Sequence, residues 1–164
     1  MTINTTQKSV LFVKNEAKGQ VVTCKEGLSF WGGVDPDTGV IIDVHHPNHG
    51  EILAGKIVLM PTSRGSCSGS GVLLQLARNG FAPKALVFRE TEDILTLGAF
   101  IAARLFNSHI AVLRLAPEIY DALSTSKEAE INDNTLHFLG QSIPLNLPST
   151  CLLYTSDAAD EEDS

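Results

Sequence analysis

Three short apolar runs, "KIVLMP" (56–61), "KALVF" (84–88) and "IAVLRL" (110–115), constrain what this chain can fold into more than any other feature. Each is nearly unbroken hydrocarbon with no polar residue at alternate positions, which suits a strand buried on both faces. Helical spacing fills the gaps between them. In "SGVLLQLARN" (70–79), Val72, Leu73, Leu76 and Ala77 share one face, and Asn79-Gly80 supplies a stop. "DILTLGAFIAARLF" (93–106) is a mostly apolar helix that Asp93 is placed to cap. "PEIYDALS" (117–124) is a shorter one with Pro117 in its first turn. Buried strands separated by helices predict an α/β domain with a largely parallel central sheet.

Weaker strands flank this core. "SVLFV" (9–13) and "GQVVTC" (19–24) are β-branched and are expected to form a second layer or an edge. Pro36, Asp37 and Gly39 mark a turn within "LSFWGGVDPDTGVIID", and "AEIN", "TLHFLG" and "SIPLN" are strands near the end. The 164 residues suffice for one domain with a real core. No apolar run approaches the roughly 18 residues of a membrane span. The N-terminus lacks the basic region and long apolar stretch of a signal peptide, so cytoplasm is the expected location.

The formal net charge of −7 is uneven: residues 151–164 hold five acids and no base. The remaining chain, with 12 bases against 14 acids, gives no support for nucleic-acid or anionic-membrane binding. "CLLYTSDAADE" in the tail resembles a translated sequencing-library adapter, and on that reading the natural chain ends near Thr150. The expected organisation is one domain over 1–140, a linker or the start of a partner region over 141–150, and a foreign or disordered tail over 151–164. Cys24, Cys67 and Cys151 make neither a disulfide framework nor a metal knuckle.

The loop "MPTSRGSCSGSG" (60–71) joins the first buried strand to the first helix, where backbone N–H groups converge and anions bind well. It is not a Walker loop, because no lysine lies between Lys56 and Lys84, and its glycines run G-x-x-x-G-x-G rather than G-x-G-x-x-G. In "GSCSG" a cysteine holds the centre of a near-elbow, so a Cys67 nucleophile is one reading. A small residue packed under a tight turn is the plainer one. Arg64 suits bidentate binding of a carboxylate. A serine held among N–H dipoles and a guanidinium loses its proton more readily than usual. The loop therefore reads as an anion holder with an oxygen base, and a purely structural Ser/Gly turn stays open beside it.

The segments "FWGGVDP", "HHP", "RGS" with its glycine loop, and "ILTLG" occur in an order that resembles the swivel domain of the aconitase X family, over about residues 9–140. The resemblance implies a swivelling β/β/α fold. It also implies a hydro-lyase role as a small subunit or as the swivel portion of a longer enzyme. The implied substrate is a small hydroxy acid, cis-3-hydroxy-L-proline before phosphomevalonate. Ser66 falls where the family places its candidate base, Arg64 where the substrate's acid group is met, and Gly65, Cys67, Ser68, Gly69 and Ser70 complete the substrate loop. The implied partner is the large aconitase X portion, which would carry an iron–sulfur cluster or iron, with no cofactor on this chain. A chain of this kind is expected to be inactive alone.

Other candidates have plainer readings. His45, His46 and His49 could suggest a metal, but Pro47 breaks the helix that would align them, so a cleft or interface loop is expected. Trp31 and Phe30 are either a partner contact or core aromatics. Glu92 and Asp93 read as helix-start residues, and Arg104 and Arg114 as solvent-facing.

Overall fold

The computed structural model describes residues 9–65 and 67–148. Eight strands form one sheet: β1 (Val10–Val13), β2 (Ala17–Thr23), β3 (Ile57–Met60), β4 (Ala85–Phe88), β5 (Ala111–Arg114), β6 (Glu128–Asn132), β7 (Thr135–Phe138) and β8 (Gln141–Pro144). Three helices are described among them: α1 (Ser68–Asn79), α2 (Ile94–Leu105) and α3 (Pro117–Leu123). The sheet order is β1-β5-β4-β3-β2-β6-β7-β8. β2, β3, β4 and β5 run parallel, while β1 and the strands from β6 onward are antiparallel to their neighbours.

The apolar runs are the centre of this sheet. Every residue of β3 and β4 is buried. Alternate side chains go to opposite faces. Ile57, Leu59, Ala85, Val87 and Leu113 join a cluster with α3 and with Ile131, Leu136 and Phe138 of the last strands. Val58, Met60, Leu86, Phe88 and Val112 join a second cluster with α1, α2 and the β2–β3 connection. Such two-sided burial is why these strands carry no polar alternation.

The helices follow their patterns. Val72, Leu73, Leu76 and Ala77 are the apolar stripe of α1, buried as its spacing predicts. Gly80, at φ 84°, ends the helix, and the Phe81 N–H returns to the Leu76 carbonyl at 2.9 Å. Helix α2 crosses α1 closely at Gly98, where a Cβ would stand 3.2 Å from Ser70. Asp93 exposes its carboxylate and makes no capping bond. The capping comes from Glu92 instead, one residue earlier.

The early strands depart from expectation. β2 lies inside the sheet, parallel to β3, and only β1 is peripheral. The extra β layer is built from β6–β8, whose buried residues pack over the face that α3 also covers. Residues 141–146, read from sequence as the start of a linker, belong to the fold: after β8, Asn146 bridges Val10. The Leu11 N–H donates to the Asn146 carbonyl and the Asn146 N–H to the Ser9 carbonyl, both at 2.9 Å. The sheet thereby curls until its two ends meet, which pairs backbone groups that two open edges would expose.

Candidate functional site

Parallel strands β2, β3 and β4 deliver their C-terminal ends to one side of the sheet, the usual place for a ligand in α/β folds. Three loops meet there: residues 24–30 after β2, 61–65 after β3, and 89–93 after β4. The first two run side by side. Leu28 forms a parallel bridge with Ser63, and the Arg64 N–H donates to the Leu28 carbonyl at 3.2 Å. A Cβ on Gly27 would come within 2.9 Å of the Thr62 carbonyl oxygen, so only glycine allows this approach. Gly65 sits at φ 96°, in the left-handed region, with Ser29 Oγ 2.5 Å from where its Cβ would be.

Two helices begin beside these loops. Glu92, buried at 8% exposure, closes over the start of α2. Its carboxylate accepts the Leu95 N–H at 2.8 Å and the Thr96 N–H at 3.0 Å, and also the hydroxyl of Ser63. One side chain therefore caps a helix and ties it to the β3 loop. Among the described residues helix α1 has no such acidic plug: Cys67 stands at its N-cap without a side-chain capping bond, and the first turn contains no acid. The positive end of α1 thus faces the loop without a protein carboxylate on it.

The predicted site residues divide. Arg64, Gly65, Cys67 and Ser68 are exposed around this opening. Ser66 lies outside the described residues. Ser70 donates its hydroxyl to the Cys67 carbonyl at 2.8 Å, a local turn bond. Gly69 is buried inside α1, facing Phe30, Ile94 and Leu95, so it serves helix packing rather than the opening. The plainer expectation for Cys67 is overturned, because its side chain is exposed instead of tucked under the turn. The nucleophile reading of Cys67 needs a histidine, and the hydrogen bonds described for His46, His109 and His137 go elsewhere. Cys24 is the packed thiol, its pKa pushed up to about 12, first by burial and then by Glu51.

Arg64 carries a partner that sequence spacing could not reveal. Its Nη2 meets Glu26 Oε1 at 2.8 Å. His46 is buried and supports the same segment from behind. Its Nδ1 accepts the Asn48 N–H at 3.0 Å, which leaves Nε2 to donate to the Glu26 carbonyl at 3.2 Å. His45 and His49 are exposed, and among the described residues no three His, Cys, Asp or Glu side chains come together as a metal site. The aromatic pair also splits: Phe30 is core, whereas Trp31 is 65% exposed. The Trp31 carbonyl accepts the Ser29 hydroxyl at 3.1 Å, a local turn bond made by the residue that Gly65 approaches.

Glu92 is a helix-start residue, as expected, while Arg114 lies 5.6 Å above the Phe12 ring and is only half-exposed. Two surface clefts, of about 350 and 460 Å3, lie away from the loop, one around Lys18, Glu130 and His137 and the other around Lys14 and His109. Among the described residues no helix is long and apolar enough to cross a membrane.

Comparison with known proteins places this geometry. The aconitase X swivel domain family matches residues 6–138. Cis-3-hydroxy-L-proline dehydratase of Hypocrea jecorina is 44% identical over 81% of this chain and 22% of its own length. The enzyme of the same name from Pseudomonas aeruginosa is 43% identical over 76% of this chain and 21% of its own. The chain thus spans about a fifth of these two relatives. The phosphomevalonate dehydratase small subunit of Pyrococcus abyssi is 51% identical over 54% of this chain and 68% of its own. The crystal structure of Thermococcus kodakaraensis aconitase X superposes with a TM-score of 0.66 at 30% identity, covering 80% of this chain and 96% of that one. With the family matched along most of its length and the fold shared, the chain belongs to the aconitase X swivel domain family.

Proposed function

We propose that this chain is the swivel portion of a hydro-lyase that dehydrates a small hydroxy acid. The observation that carries the reading is the start of α1, which among the described residues has no acid in its first turn, with Arg64 exposed three residues before the N-cap. An anion held there meets the helix dipole and a guanidinium together. In this reading Arg64 grips the substrate carboxylate and Ser66, as its alkoxide, takes up the adjacent α-proton to become the neutral hydroxyl as the substrate's hydroxyl departs. Gly65, Cys67 and Ser68 shape the loop around both.

The loop lies on an open face, so water is excluded only when a second body closes over it. The proposed partner is the large aconitase X portion, in the same chain or a separate one. The exposed side chain of Trp31, in the segment that follows the β2 loop, supports a contact with that partner. The Lewis acid that draws off the leaving hydroxyl is assigned to iron or an iron–sulfur cluster on that partner, since the described residues here offer no ligand set. Cis-3-hydroxy-L-proline is the preferred substrate, because relatives of that name align over more of this chain than the phosphomevalonate subunits do.

The test is an assay of the chain joined to or mixed with a matching large portion. Turnover of cis-3-hydroxy-L-proline, absent from either piece alone, is the expected result. Turnover of phosphomevalonate alone would move the chain to the other branch, and full activity of the large portion by itself would refute a catalytic role.

A further inference from the structure

The ion pair between Glu26 and Arg64 sits where two rigid supports converge. On one side the β3 loop is pinned: the Arg64 N–H bonds to Leu28, and Gly27 lets the two backbones approach closely. On the other side Glu26 is pinned through its carbonyl by His46, which is only 4% exposed. His46 is in turn fixed by Asn48, whose side-chain oxygen accepts the Lys25 N–H at 3.1 Å and whose amide donates to the Thr23 carbonyl at 2.9 Å. The "HHPNH" segment thus acts as a buckle that fixes the backbone from Thr23 to Glu26.

The pair itself is open to solvent, with side-chain exposures of 57% for Arg64 and 46% for Glu26. An exposed arginine without a partner would spread over many rotamers. Glu26 contacts one terminal nitrogen of the guanidinium, and a guanidinium has five N–H groups in a planar fork. Among the described residues no second side chain bonds the fork, which leaves an edge to receive another carboxylate.

We propose that Glu26 is a positioning residue: held by the His46–Asn48 buckle, it orients the Arg64 fork so that its free edge faces the anion site. The proposal rests on the reading of Arg64 as the carboxylate anchor. Glu26 does not touch substrate, and its removal weakens substrate binding while leaving the proton-transfer step in place. The surface character of the pair sets the size of the effect, a few-fold rather than orders of magnitude.

The experiment uses the chain with its large portion and compares wild type, Glu26→Ala, Glu26→Gln, Arg64→Ala and the double variant. Glu26→Ala is expected to raise KM about three- to fivefold with kcat within about twofold. Glu26→Gln should recover part of the loss, and Glu26→Ala should add nothing in the Arg64→Ala background. An unchanged or lowered KM in Glu26→Ala, beside a raised KM in Arg64→Ala, overturns the positioning role and leaves the anchor standing. No effect of Arg64→Ala overturns both. An activity-independent measurement is the NMR signal of the Arg64 guanidinium in the full chain. Slow rotation about its Nε–Cζ bond is expected in wild type and fast rotation in Glu26→Gln, whereas fast rotation in both refutes the proposal.

Discussion

Helices α1 and α2 start side by side at the same end of the sheet, yet their first turns are treated in opposite ways. At α2, a buried carboxylate from Glu92 satisfies two backbone N–H groups and holds the Ser63 hydroxyl as well. At α1, the residue in the capping position is an exposed cysteine whose side chain makes no capping bond. Two helix ends of similar sequence setting would ordinarily both be capped, since a good cap is worth about 1 kcal/mol. One positive end is neutralised and holds the loops in place; in the proposed reading the other receives an anion from outside.

This contrast can be broken from either side. The largest effect is expected from Glu92→Ala. It leaves one buried and one half-buried amide, with the Ser63 and Thr96 hydroxyls, without this acceptor, at about 2–3 kcal/mol, and lowers the melting temperature by roughly 10 °C. Thermal unfolding of the variant checks this, and a change under about 2 °C would mean that the α2 plug carries no structural weight. Gly65→Ala follows. It forces an alanine into the left-handed region against Ser29, and it should cost about 1–3 kcal/mol and lower dehydratase activity. Denaturant unfolding and the dehydratase assay read its two consequences.

Cys67→Asp sharpens the comparison by giving α1 the carboxylate it lacks. Stability should rise by a few tenths of a kcal/mol through the helix dipole, while KM for an anionic substrate rises about tenfold. A raised stability with unchanged KM would show that the anion binds elsewhere. The smallest effect concerns the thiols of Cys24 and Cys67. Cys67 should react readily with iodoacetamide in the native protein and Cys24 should not, as mass spectrometry of the labelled peptides would show.

Cys24 also predicts an alkaline limit. Its pKa is raised from 9.0 to about 12, so the neutral thiol is favoured in the fold. The unfolded chain ionises first as pH rises past 9.0, and stability should fall between pH 9.0 and about 12. Cys24→Ala should flatten that part of the decline, and an identical slope would contradict the assignment.

The core of the fold was legible because burial on both faces leaves a local signature: β3, β4 and β5 stand where the apolar runs are, and the stripe of α1 contains its four predicted residues. Adjacency leaves no such mark. Nothing in "GQVVTC" says that β2 pairs with β3 rather than with β1, and the closure through Asn146 depends on the curl of the whole sheet. The site shows the same division. Arg64 and Gly65 were visible as residue types suited to a loop, but Glu26, 38 positions away, meets Arg64 only through the parallel run of two loops. Capping by Glu92 in place of Asp93 was missed because the longer side chain reaches the amides from one residue further out, helped by Ser63. Gly69 and Ser70 were grouped with the loop because α1 starts at Ser68, two residues earlier than its apolar spacing indicates.

The most direct test of the account is Ser66→Ala, measured in the reconstituted dehydratase for both turnover and binding of cis-3-hydroxy-L-proline. The account predicts a fall in kcat of about a hundredfold or more with substrate affinity retained, the mark of a lost general base. Full turnover in the variant would contradict it, reducing the loop at the open end of α1 to an anion cradle whose base comes from another part of the enzyme.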